Sequence, residues 1–339
     1  MLKPIACGNL DTEGEVFRGA LLEWFRADGR DYPWRRTRDP YAILVSEVML
    51  QQTRLAVVLG KGYFARFMSA FPTVQALAEA EERALLRVWE GLGYYRRARM
   101  LQATALAVME RHDGHFPRDE KELLALPGIG PYTAGALRSF AFDLPAPLVD
   151  GNVMRVFSRL FDDAMPIDST EGIKSHWRRA GALLDRDHPR LFNSALMELG
   201  QRICKVGVPD CLACPVARFC QSRQPESLPV KAKTTAITEL EEHAIFVRDQ
   251  EGRILLHQET GKRRGGLWRL PIREKERLSG AVLMHEMSYA ITRYRVRLYV
   301  YGLTEVILQD GESWVPLEEL DAHPMAAPYR KALGTVMDY

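Results

Sequence analysis

Four cysteines near the middle of the chain follow the spacing C-x6-C-x2-C-x5-C: Cys204, Cys211, Cys214 and Cys220. Thiolates this close in sequence can surround one metal centre without ligands from distant segments, as sulfur ligation of zinc or of an iron–sulfur cluster requires. The spacing therefore predicts a metal site that organises this part of the fold. Disulfides are the alternative, but residues 1–14 lack the features of a secretory signal peptide, so we expect reduced thiols. Cys7 is expected to be an ordinary thiol.

Length and composition favour a globular protein of two domains. The chain has 339 residues, which exceeds the usual size of a domain with a single hydrophobic core. Its 47% apolar and 27% charged residues are typical of a globular protein. No apolar run approaches the ~20 residues that span a bilayer, so we expect a cytoplasmic protein with no membrane contact. The net charge of +2 neither implies nor excludes nucleic acid. Basic clusters at 96–99 and 262–264 are candidates for phosphate contact, with a solvated helix face or loop as the alternative.

Hydrophobic periodicity divides the chain into two regions. From Val16 to about Arg202, apolar residues recur every three or four positions, which predicts helices separated by short turns. We therefore expect an all-α domain over residues 1–221 and a polar linker over 222–237. Residues 238–339 are expected to form a smaller α/β domain. In it, 244–247 and 253–256 flank 249–252 as a predicted hairpin, and 294–301 alternate like a half-buried strand.

A glycine-rich turn precedes a predicted helix in Leu126-Pro127-Gly128-Ile129-Gly130-Pro131-Tyr132. Such a turn can present backbone N–H groups of Gly128 and Gly130 to a phosphate, although a plain helix–helix connection is commoner. Here Asp150 follows, and then the four cysteines. This ordered set resembles the helix-hairpin-helix DNA glycosylase superfamily in its iron–sulfur branch. The resemblance implies a 4Fe-4S cluster, while zinc remains open from the ligands alone.

The segment Ser46-Glu47-Val48-Met49-Leu50-Gln51-Gln52-Thr53 resembles the signature of the adenine DNA glycosylases, and the similarity extends over the first 220 residues. The related endonuclease III enzymes carry a lysine nucleophile where this chain has Tyr132. Without that amine a Schiff base is not expected, so the chain resembles the monofunctional branch.

Two carboxyl groups suit the cleavage of an N-glycosidic bond, which needs an acid for the leaving base and a negative charge beside the cationic sugar. Glu47 lies among apolar residues, where burial would raise its pKa and let it protonate adenine N7. Asp150 is expected to stay ionised and to stabilise the sugar. Without the surrounding motifs, the alternative interpretation of Glu47 is a residue on a helix surface, and that of Asp150 is a helix cap.

The resemblance assigns further residues around the target base. Tyr132 and Asn152 support the two carboxyl groups, and the adenine pocket is lined by Trp34, Arg35, Leu50 and Leu55. A base inside a duplex must be extruded before it can react. Gln52 and Tyr94 match the positions that wedge into the helix, with neighbouring Tyr95 as the alternative to Tyr94. Lys205 and Arg218 are candidates for phosphate contact.

The C-terminal region carries Gly266-Leu267-Trp268-Arg269-Leu270-Pro271, which resembles the Nudix-like domain that reads 8-oxoguanine in these enzymes. The glutamate-rich helix of a working Nudix hydrolase is missing from the sequence. We therefore expect this domain to recognise 8-oxoguanine without hydrolysing nucleotides. The family's reading loop usually contains Phe-Ser/Thr-His. Here the corresponding residues are Ile291-Thr292-Arg293 or, in a second register, Met287-Ser288-Tyr289. The predicted reading residues are therefore Thr292 and Arg293, with Ser288 in the alternative.

Together these features predict a monomeric base-excision repair enzyme that removes adenine paired with 8-oxoguanine or guanine in double-stranded DNA. Three other functions fit the sequence less well. An endonuclease III-like pyrimidine glycosylase is disfavoured by Tyr132. A DNA-binding module without catalysis is disfavoured by Glu47 and Asp150. A nucleotide-pool hydrolase lacks its metal ligands.

Overall fold

The computed structural model describes residues 10–232, 236–261 and 264–338. Cys7, most of the N-terminal segment 1–14, and Lys262 and Arg263 of the second basic cluster lie outside these ranges. Within them, no helix is both long and apolar enough to cross a membrane.

Residues 10–232 form helices and turns without a β-strand, as the periodicity predicted. The helices are α1 (Leu10–Asp28), α2 (Pro40–Leu50), α3 (Leu55–Gly60), α4 (Tyr63–Ala70), α5 (Val74–Ala78), α6 (Glu82–Trp89), α7 (Arg96–His112), α8 (Glu120–Leu124), α9 (Pro131–Ala136), α10 (Gly151–Leu160), α11 (Thr170–Leu183) and α12 (Pro189–Arg202). A 3-10 helix, Pro33–Arg35, precedes α2.

The described residues divide into two compact units. The first consists of residues 10–48 with 110–232, and the second of residues 49–109 with 236–261 and 264–338. Residues 49–109 thus group with the C-terminal region, so the helices predicted for one domain of residues 1–221 are shared between both units. The predicted division into residues 1–221, 222–237 and 238–339 remains a prediction about folding domains.

The first unit is built around a core of α1, α10, α11 and α12. Phe17, Phe157 and Phe192 are almost completely buried in it, and Phe219, just before the last cysteine of the cysteine segment, packs edge-on against Phe17. Gly200 lets α12 approach α10 closely, because a Cβ at this position would lie 2.8 Å from the Cβ of Asn152. The core therefore holds the start of α10 and the end of α12 against each other.

Helix α2 begins at a strong start signal. The carboxylate of Asp39 accepts hydrogen bonds from the backbone N–H groups of Tyr41 and Ala42, and Pro40 takes the first helical position. Most residues of α2 are buried, which places Glu47 in an apolar environment.

The second unit contains helices α3–α6, most of α7, and two three-stranded sheets. The strands are β1 (Thr238–Val247), β2 (Ile254–Gln258), β3 (Trp268–Arg269), β4 (Val282–Ile291), β5 (Tyr294–Leu303) and β6 (Glu312–Val315). One sheet has the order β1-β5-β4, with β1 parallel and β4 antiparallel to β5; the other has the order β3-β2-β6. Residues of both sheets pack with helix α13 (Ala327–Met337) in one core.

Two features of the second unit differ in detail from the sequence-based expectation. The predicted hairpin at 244–256 forms its turn, with a bridge between Arg248 and Ile254, but β1 and β2 then enter different sheets. The predicted strand at 294–301 is confirmed as β5, whereas its ten-residue partner β4 was not predicted. Strand β4 lies at the sheet edge with its residues exposed or half-buried, and an irregularity between Leu283 and His285 interrupts the alternation along it.

The segment predicted as a linker is partly attached to the first unit. Arg159 in α10 donates to the carbonyls of Pro225 and Leu228, and the N–H of Ile167 donates to the carbonyl of Val230. These bonds fix residues 225–230 against α10 and the loop that follows it.

Candidate active site

Glu47 is a buried carboxyl group on α2. Its side chain is 5% exposed, and the phenol of Tyr132 donates a hydrogen bond of 2.6 Å to its Oε2. Burial raises the pKa of Glu47 to about 7, and the charge of Asp150 adds to this rise. The Tyr132 hydrogen bond and the charge of Arg35 act in the opposite direction. The carboxyl can therefore exchange a proton near neutral pH.

Tyr132 reaches Glu47 from the predicted glycine-rich turn. Helices α8 and α9 flank this turn, in which Gly128 adopts a φ of +77° and Gly130 caps α9. Tyr132 is the second residue of α9, and its hydroxyl also lies 3.9 Å from the sulfur of Met197. Burial, together with the charge of Glu47, raises the pKa of Tyr132 well above its ordinary value, so the phenol remains a donor. The assignment of Gly128 and Gly130 to phosphate contact stays a prediction.

Asp150 caps helix α10 and is held there by its own helix. Its Oδ1 accepts from the N–H of Val153 at 2.8 Å, and its Oδ2 accepts from the amide of Asn152 at 2.7 Å. Burial raises the pKa of Asp150, while both hydrogen bonds and the charge of Arg155 counter this rise. The cap and the predicted functional role therefore belong to the same side chain.

Arg35 and Trp34 lie in the 3-10 helix that leads into α2. The indole of Trp34 is 9% exposed and stacks on Tyr32, with ring centroids 5.5 Å apart. The guanidinium of Arg35 lies over the same tyrosine ring and forms an ion pair with Glu198. Because the charge of Arg35 lowers the pKa of Glu47, the structure brings Arg35 into the electrostatic environment of Glu47.

Glu198 is a second buried carboxyl group, which the sequence interpretation did not identify. Its side chain is fully buried on α12, where it pairs with Arg35 and Arg202 and accepts from the N–H of Arg30. Its sequence context, a glutamate between Met197 and Leu199, is the same kind of signal that singled out Glu47.

Hydrogen bonds connect Asp150 to the cysteine segment. The amide of Asn152 donates to Asp150, and its Oδ1 accepts from Arg155 at 2.9 Å. Arg155 in turn donates to the carbonyl of Cys204 at 2.8 Å. One turn further along α10, Arg159 donates to the sulfur of Cys204 at 3.4 Å. The arginines at positions 155 and 159 were not identified from the sequence, although the steps of three residues from Asn152 to Arg155 and of four to Arg159 place all three on one helix face.

The four predicted ligand cysteines lie close together in space. Burial raises the pKa of Cys214 to about 11, and the charges of Cys204, Cys211 and Cys220 as thiolates add to that rise. Across residues 10–232, 236–261 and 264–338, however, no three His, Cys, Asp or Glu side chains take an arrangement that would hold a metal ion. The four sulfurs are thus within electrostatic range of one another.

Lys205 and Arg218 lie within this cysteine segment, and both side chains are exposed. The guanidinium of Arg218 lies 4.7 Å from the ring centroid of Phe219. Phosphate contact by either residue stays a prediction.

Four residues of the second unit were predicted to line the adenine pocket or to wedge into DNA: Leu50, Leu55, Gln52 and Tyr94. Leu50 ends α2 and Leu55 begins α3. Gln52 is exposed, and Tyr94 is 43% exposed. Tyr95 is 6% exposed, and its hydroxyl donates to the carbonyl of Met325. The structure therefore favours Tyr94 over Tyr95 as the residue available to DNA.

Thr292 and Arg293 form the two-residue turn between β4 and β5. Ile291 pairs with Tyr294, and Thr292 adopts a φ of +52°. Such turns need positive φ to match the twist of the strands. Both turn residues are exposed, whereas Ser288 lies within β4 opposite Arg297. Thr292 thus occupies a loop tip and Ser288 a strand surface.

Known DNA glycosylases are similar to this chain in sequence. Residues 45–175 match the model of the HhH-GPD superfamily base excision DNA repair proteins. The chain is 44% identical to the adenine DNA glycosylase of Rattus norvegicus over 220 residues, covering 62% of this chain and 42% of that protein. It is 30% identical to the adenine DNA glycosylase of Buchnera aphidicola subsp. Schizaphis graminum over 239 residues, covering 69% of this chain and 68% of that one.

A thermostable thymine-DNA glycosylase of known structure superposes with a TM-score of 0.57 at 31% identity, covering 62% of this chain and 96% of that one. The chain spans less than half the length of the rat relative.

The electrostatics of Glu47 predict opposite effects of two conservative substitutions. Tyr132→Phe removes a hydrogen bond that lowers the pKa of Glu47, so this pKa should rise above about 7. Asp150→Asn removes a negative charge that raises it, so the pKa should fall, while the amide oxygen can still cap α10. Titration of labelled glutamate carboxyl carbons by NMR would measure both. If both variants shifted the pKa of Glu47 in the same direction, the opposite effects assigned to Tyr132 and Asp150 would be wrong.

Proposed function

The chain belongs to the adenine DNA glycosylase family of the helix-hairpin-helix superfamily, and we propose that it hydrolyses the N-glycosidic bond of adenine mispaired with 8-oxoguanine or guanine, leaving an abasic site. Double-stranded DNA containing the mispair is the proposed partner. The observation that carries the proposal is the buried Glu47, with a pKa of about 7, hydrogen-bonded to Tyr132 and electrostatically coupled to Asp150.

Glu47 is the proposed acid. A carboxyl group with a pKa near neutrality is protonated in a large fraction of molecules, yet gives up its proton readily. Transfer of that proton to N7 of adenine turns the base into a better leaving group. Tyr132 donates to Oε2 of Glu47, which orients the carboxyl group and stabilises it once it has lost the proton.

Asp150 is the proposed electrostatic partner of the sugar. As the bond to the base breaks, positive charge develops on the deoxyribose, and a nearby carboxylate stabilises it. The N–H of Val153 and the amide of Asn152 favour the ionised form of Asp150. Water then adds to the sugar, and the proton that it releases passes to the Glu47 carboxylate, which completes the hydrolysis and restores the acid. The two carboxyl groups differ in role because one accepts a phenol hydrogen bond in an apolar site and the other caps a helix.

Monofunctional chemistry follows from Tyr132. Strand cleavage by related enzymes proceeds through a Schiff base, which needs an amine at the hairpin position. A phenol cannot form that bond, so we expect the product strand to stay intact at the abasic site.

A 4Fe-4S cluster is the proposed cofactor. Cys204, Cys211, Cys214 and Cys220 supply an all-sulfur donor set, and Arg159 can donate to the sulfur of Cys204. Bound there, the cluster would brace the loop, and hydrolysis requires no electron from it. Arg155 donates both to the carbonyl of Cys204 and to Asn152. The position of this loop therefore affects how Asn152 and Asp150 are oriented.

The C-terminal sheets are proposed to read the base opposite adenine, in the manner of a Nudix-like domain. Support comes from the β4–β5 turn, where Thr292 and Arg293 project from the sheet at an exposed tip. The Thr292 hydroxyl can pair with the N7–H or the exocyclic oxygen of 8-oxoguanine. Arg293 can contact the DNA backbone, which gives affinity without sequence preference.

Glu47→Gln should abolish adenine release while preserving binding to the mispair, because the amide keeps the shape of the side chain but cannot donate the proton. Loss of a positioned acid typically slows reaction by ~10²–10⁴-fold. Single-turnover excision should be measured on duplexes with adenine opposite 8-oxoguanine, guanine, thymine or cytosine, with binding measured in parallel. Near-normal excision by Glu47→Gln would remove this residue from the mechanism.

In the wild type, strand breaks should form at the abasic site only after treatment with alkali.

Anaerobically purified protein should be brown and contain about four irons per chain. Cys214→Ser should lose most of this iron, whereas the matched variant Cys7→Ser should keep it, because Cys7 is not among the proposed ligands. Metal analysis and visible absorption measure both. Stoichiometric zinc without visible absorption would contradict the iron–sulfur assignment.

Thr292→Ala should lower the preference for 8-oxoguanine over guanine, by about 1–3 kcal/mol if one buried partner is left unpaired. Ser288→Ala is the matched control, since it removes a hydroxyl from β4 instead of the turn. The ratio of single-turnover rates on the two mispairs is the measurement. Loss of preference in Ser288→Ala alone would assign the reading function to the second register.

A further inference from the structure

Two turns of the second unit share an unusual backbone conformation. Gln52 has a φ of +58° and Tyr94 a φ of +48°, in the left-handed region that side chains other than those of Gly, Asn and Asp rarely adopt. Strain of this kind persists only where the surroundings fix it, and it concentrates at functional sites. In the described part of the chain, the non-glycine residues with positive φ are Gln52, Tyr94, Asp113, Asp143, Asp162 and Thr292. Apart from the three aspartates, they are the residues that sequence similarity assigned to DNA contact.

One side chain is bonded to both strained turns. Arg97, in the first turn of α7, donates through Nη1 to the carbonyls of Met49, at 2.9 Å, and Gln51. Through Nη2 it donates to the Oγ1 of Thr53 at 3.0 Å and to the carbonyl of Leu92 at 3.2 Å. Its partners therefore flank Gln52 on both sides and reach the glycine turn that leads to Tyr94.

Arg97 also contacts Tyr94 directly. Its guanidinium carbon lies 5.4 Å from the centroid of the Tyr94 ring and 5.5 Å from that of the buried Trp89. The Trp89 indole donates to the carbonyl of Gly93 at 3.0 Å, which anchors the same turn to the core. The planar fork of an arginine can bind several carbonyls and stack on a ring at the same time, which the single ammonium of lysine cannot do.

We propose that Arg97 is a positioning residue for base extrusion: it locks the Gln52 turn and the Tyr94 turn into one rigid unit that can penetrate the duplex. This inference deepens the proposed function and rests on it. Extruding a base from the stack requires side chains that keep their conformation when they insert between bases. Without Arg97, both turns can relax from their strained conformations, and Gln52 and Tyr94 lose their fixed spacing.

The test measures extrusion separately from cleavage. In a Glu47→Gln background, stopped-flow fluorescence of 2-aminopurine placed beside the target adenine reports unstacking in an adenine–8-oxoguanine duplex. Arg97→Lys should slow this signal by about tenfold or more. Arg66→Lys is the matched control, because Arg66 also donates to carbonyls of this region, those of Val88 and Glu90, and stacks on Tyr63, but does not bind the two turns. It should leave the signal unchanged.

A second duplex distinguishes positioning from general destabilisation. When the target adenine faces an abasic-site analogue, no pairing opposes extrusion, so the deficit of Arg97→Lys should shrink to less than about threefold. An equal deficit on both duplexes, or none on either, would overturn the proposal. If Arg97→Lys does not fold, Thr53→Val removes one acceptor and should cause a smaller loss in the same direction; an unchanged signal there would also overturn it. Failure of the proposed function would appear separately, as a wild-type protein that releases no adenine.

Discussion

Buried and half-buried arginines that donate to backbone carbonyls hold irregular segments of this protein in place. A carbonyl outside a helix or sheet must still find a donor when it is buried, and a guanidinium offers five N–H groups in a fixed plane. Arg159 binds the carbonyls of residues 205, 207, 225 and 228 around the cysteine loop. Arg190 does the same for residues 35, 37 and 140 beside the candidate active site. Arg97 performs this role for the two strained turns.

The buried carboxyl groups differ in their partners, and this difference separates their chemistry. Glu198 is paired with two guanidinium groups, which fix Arg35 next to the candidate site. Asp150 accepts from a helix N-terminus and an amide. Burial of Glu47 in an apolar setting, together with the repulsion of Asp150, raises its pKa to near neutrality, although the phenol hydrogen bond of Tyr132 lowers it. The same chemical group thus serves as anchor, candidate electrostatic partner and candidate acid.

Much of the fold could be predicted from local patterns, and the failures have identifiable causes. Helices followed from apolar spacing, and β5 from strict alternation. Strand β4 was missed because an irregularity between Leu283 and His285 interrupts its alternation, and its residues at the sheet edge are at most half-buried. The hairpin at 244–256 was predicted from its turn, yet its strands pair elsewhere because β5 supplies a long parallel partner for β1. The grouping of residues 49–109 with the C-terminal region depends on packing between distant segments, which no local pattern reports.

The sequence by itself determined which residue types were available for chemistry: Glu47 in an apolar helix, Asp150 at a helix start, Tyr132 in place of an amine and four closely spaced cysteines. Only the tertiary structure decided how these groups are tuned and held. The pKa of Glu47 depends on burial and on Tyr132, which is 85 residues away along the chain. The roles of Glu198 and Arg97 arise from partners on other elements. Hydrogen bonding and desolvation act over a few ångströms in space, whatever the separation in sequence, so they become visible only once the chain has folded.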